Sequence, residues 1–198
     1  MDHLWTFPTI VSTGMFPDHQ VHNPRWAERI RTLVPTAGKR QTGDALHEDP
    51  HFQPLVEFIV GRVAERFEYF RYTQRNFFIT SCWANLHGRG DGLSTHRHPN
   101  SFLSGVYYVA VPEGASLLIL RDPRPANIMF DIERSEHTPW NRPEFLVRPS
   151  AGGLLLFPSW LEHDVQSSDI DAERISISFN VMVRGELGSS RHLTRLRL

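Results

Sequence analysis

Of the eleven histidines in this chain, three stand in contexts suited to chemistry. His96 and His98 lie two apart in Ser94-Thr95-His96-Arg97-His98-Pro99-Asn100, just ahead of an apolar run. Residues two apart on a strand share a face, so both imidazoles are expected to converge on one ion while Arg97 points away. His163 follows far downstream in Phe157-Pro158-Ser159-Trp160-Leu161-Glu162-His163. A facial set of three ligands with the other positions open is what an oxygen-activating iron site needs. His3, His19, His22, His47, His51, His137 and His192 sit in polar stretches and are expected on the surface. His87, at a strand end, can line a cleft.

The second chemical signal is Arg174-Ile175-Ser176-Ile177-Ser178-Phe179-Asn180. Alternation puts Arg174, Ser176, Ser178 and Asn180 on one face and Ile175, Ile177, Phe179 and Val181 on the other. Polar groups are costly to bury without partners, so the polar face is either solvated or lines a site. An arginine pointing into a barrel calls for a carboxylate or phosphate, which its fork binds in bidentate fashion. Ser176 can add a hydroxyl to the same group.

These residues need strands to hold them. After Tyr72 the apolar period becomes two: Asn76–His87, Ser101–Pro112, Ser116–Asp122, Glu144–Arg148, Gly153–Pro158 and Arg174–Arg184 read as strands, with short ones at His96–His98 and His163–Gln166. Gly88-Arg89-Gly90-Asp91-Gly92, Pro112-Glu113-Gly114, Asp122-Pro123-Arg124-Pro125 and Ala151-Gly152-Gly153 are the turns between them. Ahead of the strands, Leu55, Phe58, Ile59, Val63, Phe67 and Phe70 recur at helical steps, so a helix is expected over Pro54–Phe70 with Pro54 in its first turn. A shorter helix is expected near Pro24–Leu33, and an edge strand over Trp5–Ser12 held at the edge by Pro8. The fold class is therefore mainly β, a jelly roll or double-stranded β-helix with one or two N-terminal helices packed outside. We expect a single domain over 1–198: a supporting N-terminal part over 1–72, the core over 73–184 and a frayed basic tail over 185–198.

Composition narrows the function. At 198 residues, 40% hydrophobic and 22% charged, the chain suits one folded domain. A net charge of -1 gives no basic excess for nucleic acid. The single cysteine, Cys82, has apolar neighbours and is expected to be a buried, inert thiol. No window is apolar for long enough to span a bilayer, and the N-terminus lacks a signal-peptide pattern, so a cytoplasmic location is expected.

Taken together, His96-x-His98, Ser104-Gly105-Val106-Tyr107-Tyr108-Val109, Phe157-Pro158-Ser159-Trp160-Leu161-x-His163 and Arg174-x-Ser176-x-Ser178-Phe179-Asn180 resemble the 2-oxoglutarate/iron(II)-dependent oxygenases, in particular a small bacterial and phage-type branch. The resemblance covers about half of the chain, from Trp83 to Val181. It implies iron(II), 2-oxoglutarate as cosubstrate and O2, with His96 and His163 as metal ligands. It also implies that Arg174 pairs with the distal carboxylate of 2-oxoglutarate, with Ser176 assisting. Tyr108 can bond the same carboxylate, and Trp83 and Asn85 can line the pocket, Asn85 as the polar contact. The broad superfamily has Asp or Glu where this chain has His98, and a neutral imidazole there leaves one more positive charge on the site.

The implied activity is oxidative decarboxylation of the 2-oxo acid coupled to hydroxylation of an unactivated C–H bond in a small molecule, amino acid or peptide. Residues 124–143, with Arg124, Asp131, Glu133, Arg134, Glu136, His137, Trp140 and Arg142, form a long loop that could recognise such a substrate. Two other classes stay open. One is a three-histidine, cupin-like dioxygenase working without 2-oxoglutarate. The other is a non-catalytic β-barrel with a structural metal, for which His87 is the nearest fourth ligand. A homodimer is also left open.

Overall fold

The computed structural model describes the chain except for residues 1, 5, 36, 37, 39, 125–128, 130 and 131. Trp5 and Asp131 therefore lie outside the described residues. In chain order the elements are β1 (Ser12–Met15), α1 (His19–Leu33), α2 (Gln53–Tyr69), β2 (Phe77–His87), β3 (Leu93–His96), β4 (Leu103–Ala110), β5 (Leu118–Arg121), β6 (Glu144–Val147), β7 (Gly153–Pro158), β8 (His163–Val165), β9 (Arg174–Val183), β10 (Glu186–Leu187) and β11 (Leu196–Arg197).

Two sheets face each other as a jelly roll. The major sheet runs β1-β7-β4-β9-β2 and the minor sheet β3-β8-β5-β6. Strand β9 lies between β2 and β4, antiparallel to both, so the chain's most polar-faced strand occupies an interior position. Its alternation is resolved by two different kinds of burial. Ile175, Ile177, Phe179 and Val181 join Trp26, Ile30, Leu55, Ile59, Val63 and Phe67 in the core between the sheet and the helices. Arg174, Ser176 and Asn180 are buried on the opposite face. A second apolar cluster lies between the sheets, with Val106, Tyr108, Leu118, Leu120, Leu155, Phe157, Leu161 and Val165.

The helical layer is held by four-residue spacing: Leu55, Ile59, Val63 and Phe67 are all buried along α2. Phe70 falls at the margin and is 36% exposed. Close approach also matters on the strands. A Cβ added at Gly105 would stand 2.3 Å from Phe179 Cζ and 2.8 Å from the Leu155 carbonyl oxygen, so β4 can sit between its neighbours only with glycine there.

Four expectations are corrected. The edge strand is Ser12–Met15, paired with β7; among the described residues before Val11 there is no strand. Helix α1 begins at His19, with Pro24 inside it past the first turn; the proline gives up one i→i−4 bond, and the buried Trp26 and Ile30 anchor the face. The C-terminal stretch is a small hairpin, β10 with β11, tied by Glu186 to Arg195 and Arg197. His19, His22 and His47 are half-buried, against the expectation of exposure. Cys82 is buried, and burial pushes its thiol up to about 12.

Candidate metal centre and anion cradle

His96 and His163 stand directly opposite each other across β3 and β8. Strand pairing thus brings together two residues 67 positions apart. His98 lies past the end of β3, so strand alternation does not orient it, contrary to expectation. Two tertiary bonds do. Its backbone N–H donates to the Ser159 carbonyl at 3.1 Å, and its ring Nδ1 donates to Asn180 Oδ1 at 2.7 Å. One ring nitrogen from each of the three histidines lies within 4.8 Å of the others. No carboxylate joins the cluster among the described residues.

The ring partners decide which nitrogen is available. His96 Nδ1 donates to the Ser94 carbonyl at 2.7 Å, and His163 Nδ1 to the Leu161 carbonyl at 2.9 Å. A carbonyl oxygen only accepts, so both Nδ1 atoms carry a proton, and in the neutral rings both Nε2 atoms keep a lone pair. In His98 the proton sits on Nδ1 for the same reason. Its Nε2 is buried with no hydrogen-bond partner. A buried, unsatisfied acceptor beside two others is costly unless a cation occupies the space. The donor set therefore fits a divalent transition metal that accepts neutral imidazole. Burial lowers the His163 pKa to about 4, helped by the neighbouring His96 and His98, and burial also lowers that of His98.

The surrounding residues fix the rings. Asn180 Oδ1 also accepts from Ser104 Oγ at 2.8 Å, while its Nδ2 donates to Ser81 Oγ at 3.0 Å. Trp83 stacks on His98 at 5.9 Å between centroids, and Phe157 meets His163 edge-on at 4.7 Å. On the other face of the minor sheet, buried Asp164 accepts from Thr95 Oγ1 at 3.1 Å and Arg121 Nε at 2.8 Å. Arg121 also reaches Glu144 at 2.6 Å. This ties all four strands of the minor sheet beside the His96–His163 pair. The motif reading missed Asp164, Thr95 and Arg121; the signal available was an acidic residue next to a ligand candidate, which is common on surfaces.

Four rungs of the interior face run along β2, β9 and β4. Ser81, Asn180 and Ser104 form the first; Trp83, Ser178 and Val106 the second; Asn85, Ser176 and Tyr108 the third. Arg174 closes the series opposite His87. Arg174 is 3% exposed and has no carboxylate partner among the described residues. Its Nη1 donates to His87 Nδ1 at 3.2 Å, its guanidinium lies 5.1 Å from the Tyr108 ring centroid, and its Nε has no acceptor. Because arginine can only donate, His87 must be the neutral tautomer protonated on Nε2. Burial and the Arg174 charge lower its pKa to about 4. The Tyr108 hydroxyl is buried without a partner, and burial raises its pKa, with Arg174 pulling the other way. A guanidinium and a phenol, both with unused donors, make a cradle for an anion. Asn85 is buried one rung away and donates to Ser178 Oγ at 3.2 Å.

None of the described residues among 124–143 belongs to the histidine cluster. Among those described, Arg124 pairs with Asp122, Arg142 lies over Phe145, and Glu133, Glu136, His137 and Trp140 are exposed. No helix among the described residues is long and apolar enough to cross a membrane.

Comparisons with known proteins follow the same lines. The sequence matches the family described as "Putative 2OG-Fe(II) oxygenase" over residues 81–180, just over half of the chain. The fold is similar to that of the non-haem alpha-ketoglutarate-dependent epimerase SnoN from nogalamycin biosynthesis, with TM-score 0.65 at 13% identity over 89% of this chain and 80% of that one. It is also similar to a Pseudomonas putida prolyl-4-hydroxylase, with TM-score 0.58 at 17% identity over 89% of each chain. HygX from Streptomyces hygroscopicus, solved with nickel and 2-oxoglutarate bound, gives TM-score 0.58 at 12% identity over 87% of this chain and 81% of that one. At these identities the likeness is one of fold. No curated protein matches the sequence.

Proposed function

This chain belongs to the 2OG-Fe(II) oxygenase family, a group of non-haem iron oxidoreductases that use iron(II), 2-oxoglutarate and O2, and from that premise we propose that it hydroxylates an unactivated C–H bond of a small molecule, amino acid or peptide. The observation that carries the site assignment is the set of three buried or half-buried imidazoles with their Nδ1 protons fixed and their Nε2 lone pairs free. We assign His96, His98 and His163 as the metal ligands.

When bound, iron(II) and 2-oxoglutarate supply O2 activation, with the 2-oxo acid oxidised to succinate and carbon dioxide as the substrate is oxidised. The protein's part is to hold and shield. His96, His98 and His163 would hold the metal by three of its positions and would leave the others to cosubstrate and O2. Arg174 anchors the distal carboxylate of 2-oxoglutarate, and the Tyr108 hydroxyl donates to the same group. His87 holds the guanidinium in line by accepting from it. Ser176 and Asn85 offer polar contacts along the path from cradle to metal. Trp83 and Phe157 cover the imidazoles and keep water from them. Three neutral ligands leave the site with its full dipositive charge, which favours a dianionic cosubstrate over a neutral one.

The test is an anaerobic visible titration of metal-free protein with iron(II), then 2-oxoglutarate. A weak charge-transfer band that needs both components is expected. Iron that binds while 2-oxoglutarate leaves its spectrum unchanged would remove the cosubstrate assignment.

A further inference from the structure

Two arginines are buried among the described residues, Arg174 and Arg66, and neither has a carboxylate partner. The buried carboxylate Asp164 is occupied by Arg121. Arg174 faces the cosubstrate cradle. Arg66, on α2, is 5% exposed and lines a separate cavity of about 510 Å³. Its Nη1 donates to Ser12 Oγ at 2.7 Å and the Leu156 carbonyl at 3.5 Å, and its Nη2 to the Ile10 carbonyl at 2.8 Å. A guanidinium has five N–H donors, so two are left without an acceptor among the described residues. Burial lowers its pKa, with Tyr72 opposing. Its guanidinium also lies 5.1 Å from the Phe70 ring centroid, and a buried cation with only neutral partners and no carboxylate is an expensive arrangement.

The cavity around it has a mixed lining, with apolar walls at Ile10, Phe70, Tyr72, Phe102 and Trp160 and polar groups at Thr9, Asn100 and Ser101. Tyr72 and Trp160 are partly exposed, so their rings are available to a ligand. Arg97 also lines the cavity but is already paired with Glu162 at 2.8 Å. His98 and Ser159 line it too, so the space adjoins the proposed metal centre. Its volume lies in the range of small-molecule sites, which combine apolar walls with a few polar groups that fix orientation.

We propose that this cavity binds a small carboxylic acid with an aromatic or branched apolar body, its carboxylate on Arg66 and its body against Phe70, Tyr72, Phe102 and Trp160. Placing that acid as the substrate rests on the oxygenase reading above; its binding does not. The carboxylate supplies the missing counter-charge, and the apolar body displaces water from the aromatic walls. The two buried arginines then divide the work, one for the cosubstrate and one for the substrate.

The experiment is calorimetric titration of the metal-free chain with 4-phenylbutyrate and, in parallel, with its uncharged amide. The acid should bind at least about tenfold more tightly than the amide, as a charge-assisted bond to a buried guanidinium requires. Arg66→Gln should abolish that preference. Because Arg66 also pins Ile10 and Ser12, Trp160→Ala serves as a second variant; its removal of an exposed wall should weaken acid binding several-fold while the near-ultraviolet circular dichroism of the remaining core persists. Arg174→Met should leave acid binding unchanged. Equal binding of acid and amide, no saturable binding, or loss of binding in Arg174→Met would each overturn the proposal. Loss of the iron and 2-oxoglutarate band in the preceding titration would instead remove the oxygenase assignment and leave acid binding standing.

Discussion

Replacing His87 by Asn tests the pairing at the closed end of the cosubstrate cradle. His87 is 8% exposed and accepts from Arg174 through Nδ1. Burial first, then the Arg174 charge and that of Arg40, hold its pKa down to about 4, with Asp91 opposing; Tyr108 is the other titratable group on Arg174. In the unfolded chain the same ring titrates near the ordinary histidine value of about 6.5. Between these values the unfolded chain binds the extra proton, so stability rises with pH through that window. His87 therefore costs nothing above about pH 7 and destabilises the fold progressively as pH falls toward 4. Each tenfold displacement in proton affinity corresponds to about 1.4 kcal/mol, so the effect at pH 4.5 is roughly 2–3 kcal/mol. Asparagine keeps an acceptor for Arg174 and does not titrate. Urea unfolding of the metal-free protein at pH 7.5 and 4.5 should show wild type losing roughly 2–3 kcal/mol more than His87→Asn on acidification. Every other titrating group is common to both chains and cancels. Parallel pH profiles would refute the assignment of a neutral His87 held against Arg174.

Three more outcomes follow from particular contacts. Arg174→Met should weaken 2-oxoglutarate binding by about 2–5 kcal/mol, the loss of a buried charge partner, while iron affinity in a chelator competition stays the same; a matching loss of iron would mean that the arginine supports the metal. Asn180→Leu removes the acceptor that fixes His98 and leaves its Nδ1–H and the Ser104 hydroxyl without their bond. Metal affinity should fall by roughly 10–100-fold, and unchanged affinity would show that Asn180 does not orient the ring. Gly105→Ala drives a methyl into Phe179 and the Leu155 carbonyl and should lower the urea-derived stability by about 1–3 kcal/mol; a stability within error of wild type would mean that β4 can shift.

Local patterns in the sequence determined the elements and their faces. The four-residue apolar spacing of α2 and the two-residue alternation of β9 depend only on backbone geometry and the cost of exposing apolar groups, so both were legible without any long-range information. The sites needed more. His163 meets His96 because β8 pairs with β3, and Arg174 meets His87 because β9 pairs with β2; such registers are set by the packing of both sheets at once. His98 shows the limit most clearly. Its spacing from His96 suggested a shared strand face, yet it lies past the strand end and is aimed by the Ser159 carbonyl and Asn180. By residue type alone, Arg66 belongs on the solvated face of a helix. Only the packing of the N-terminal segment against α2 and β7 buried it, because a side chain's solvation depends on what folds over it rather than on its neighbours in sequence.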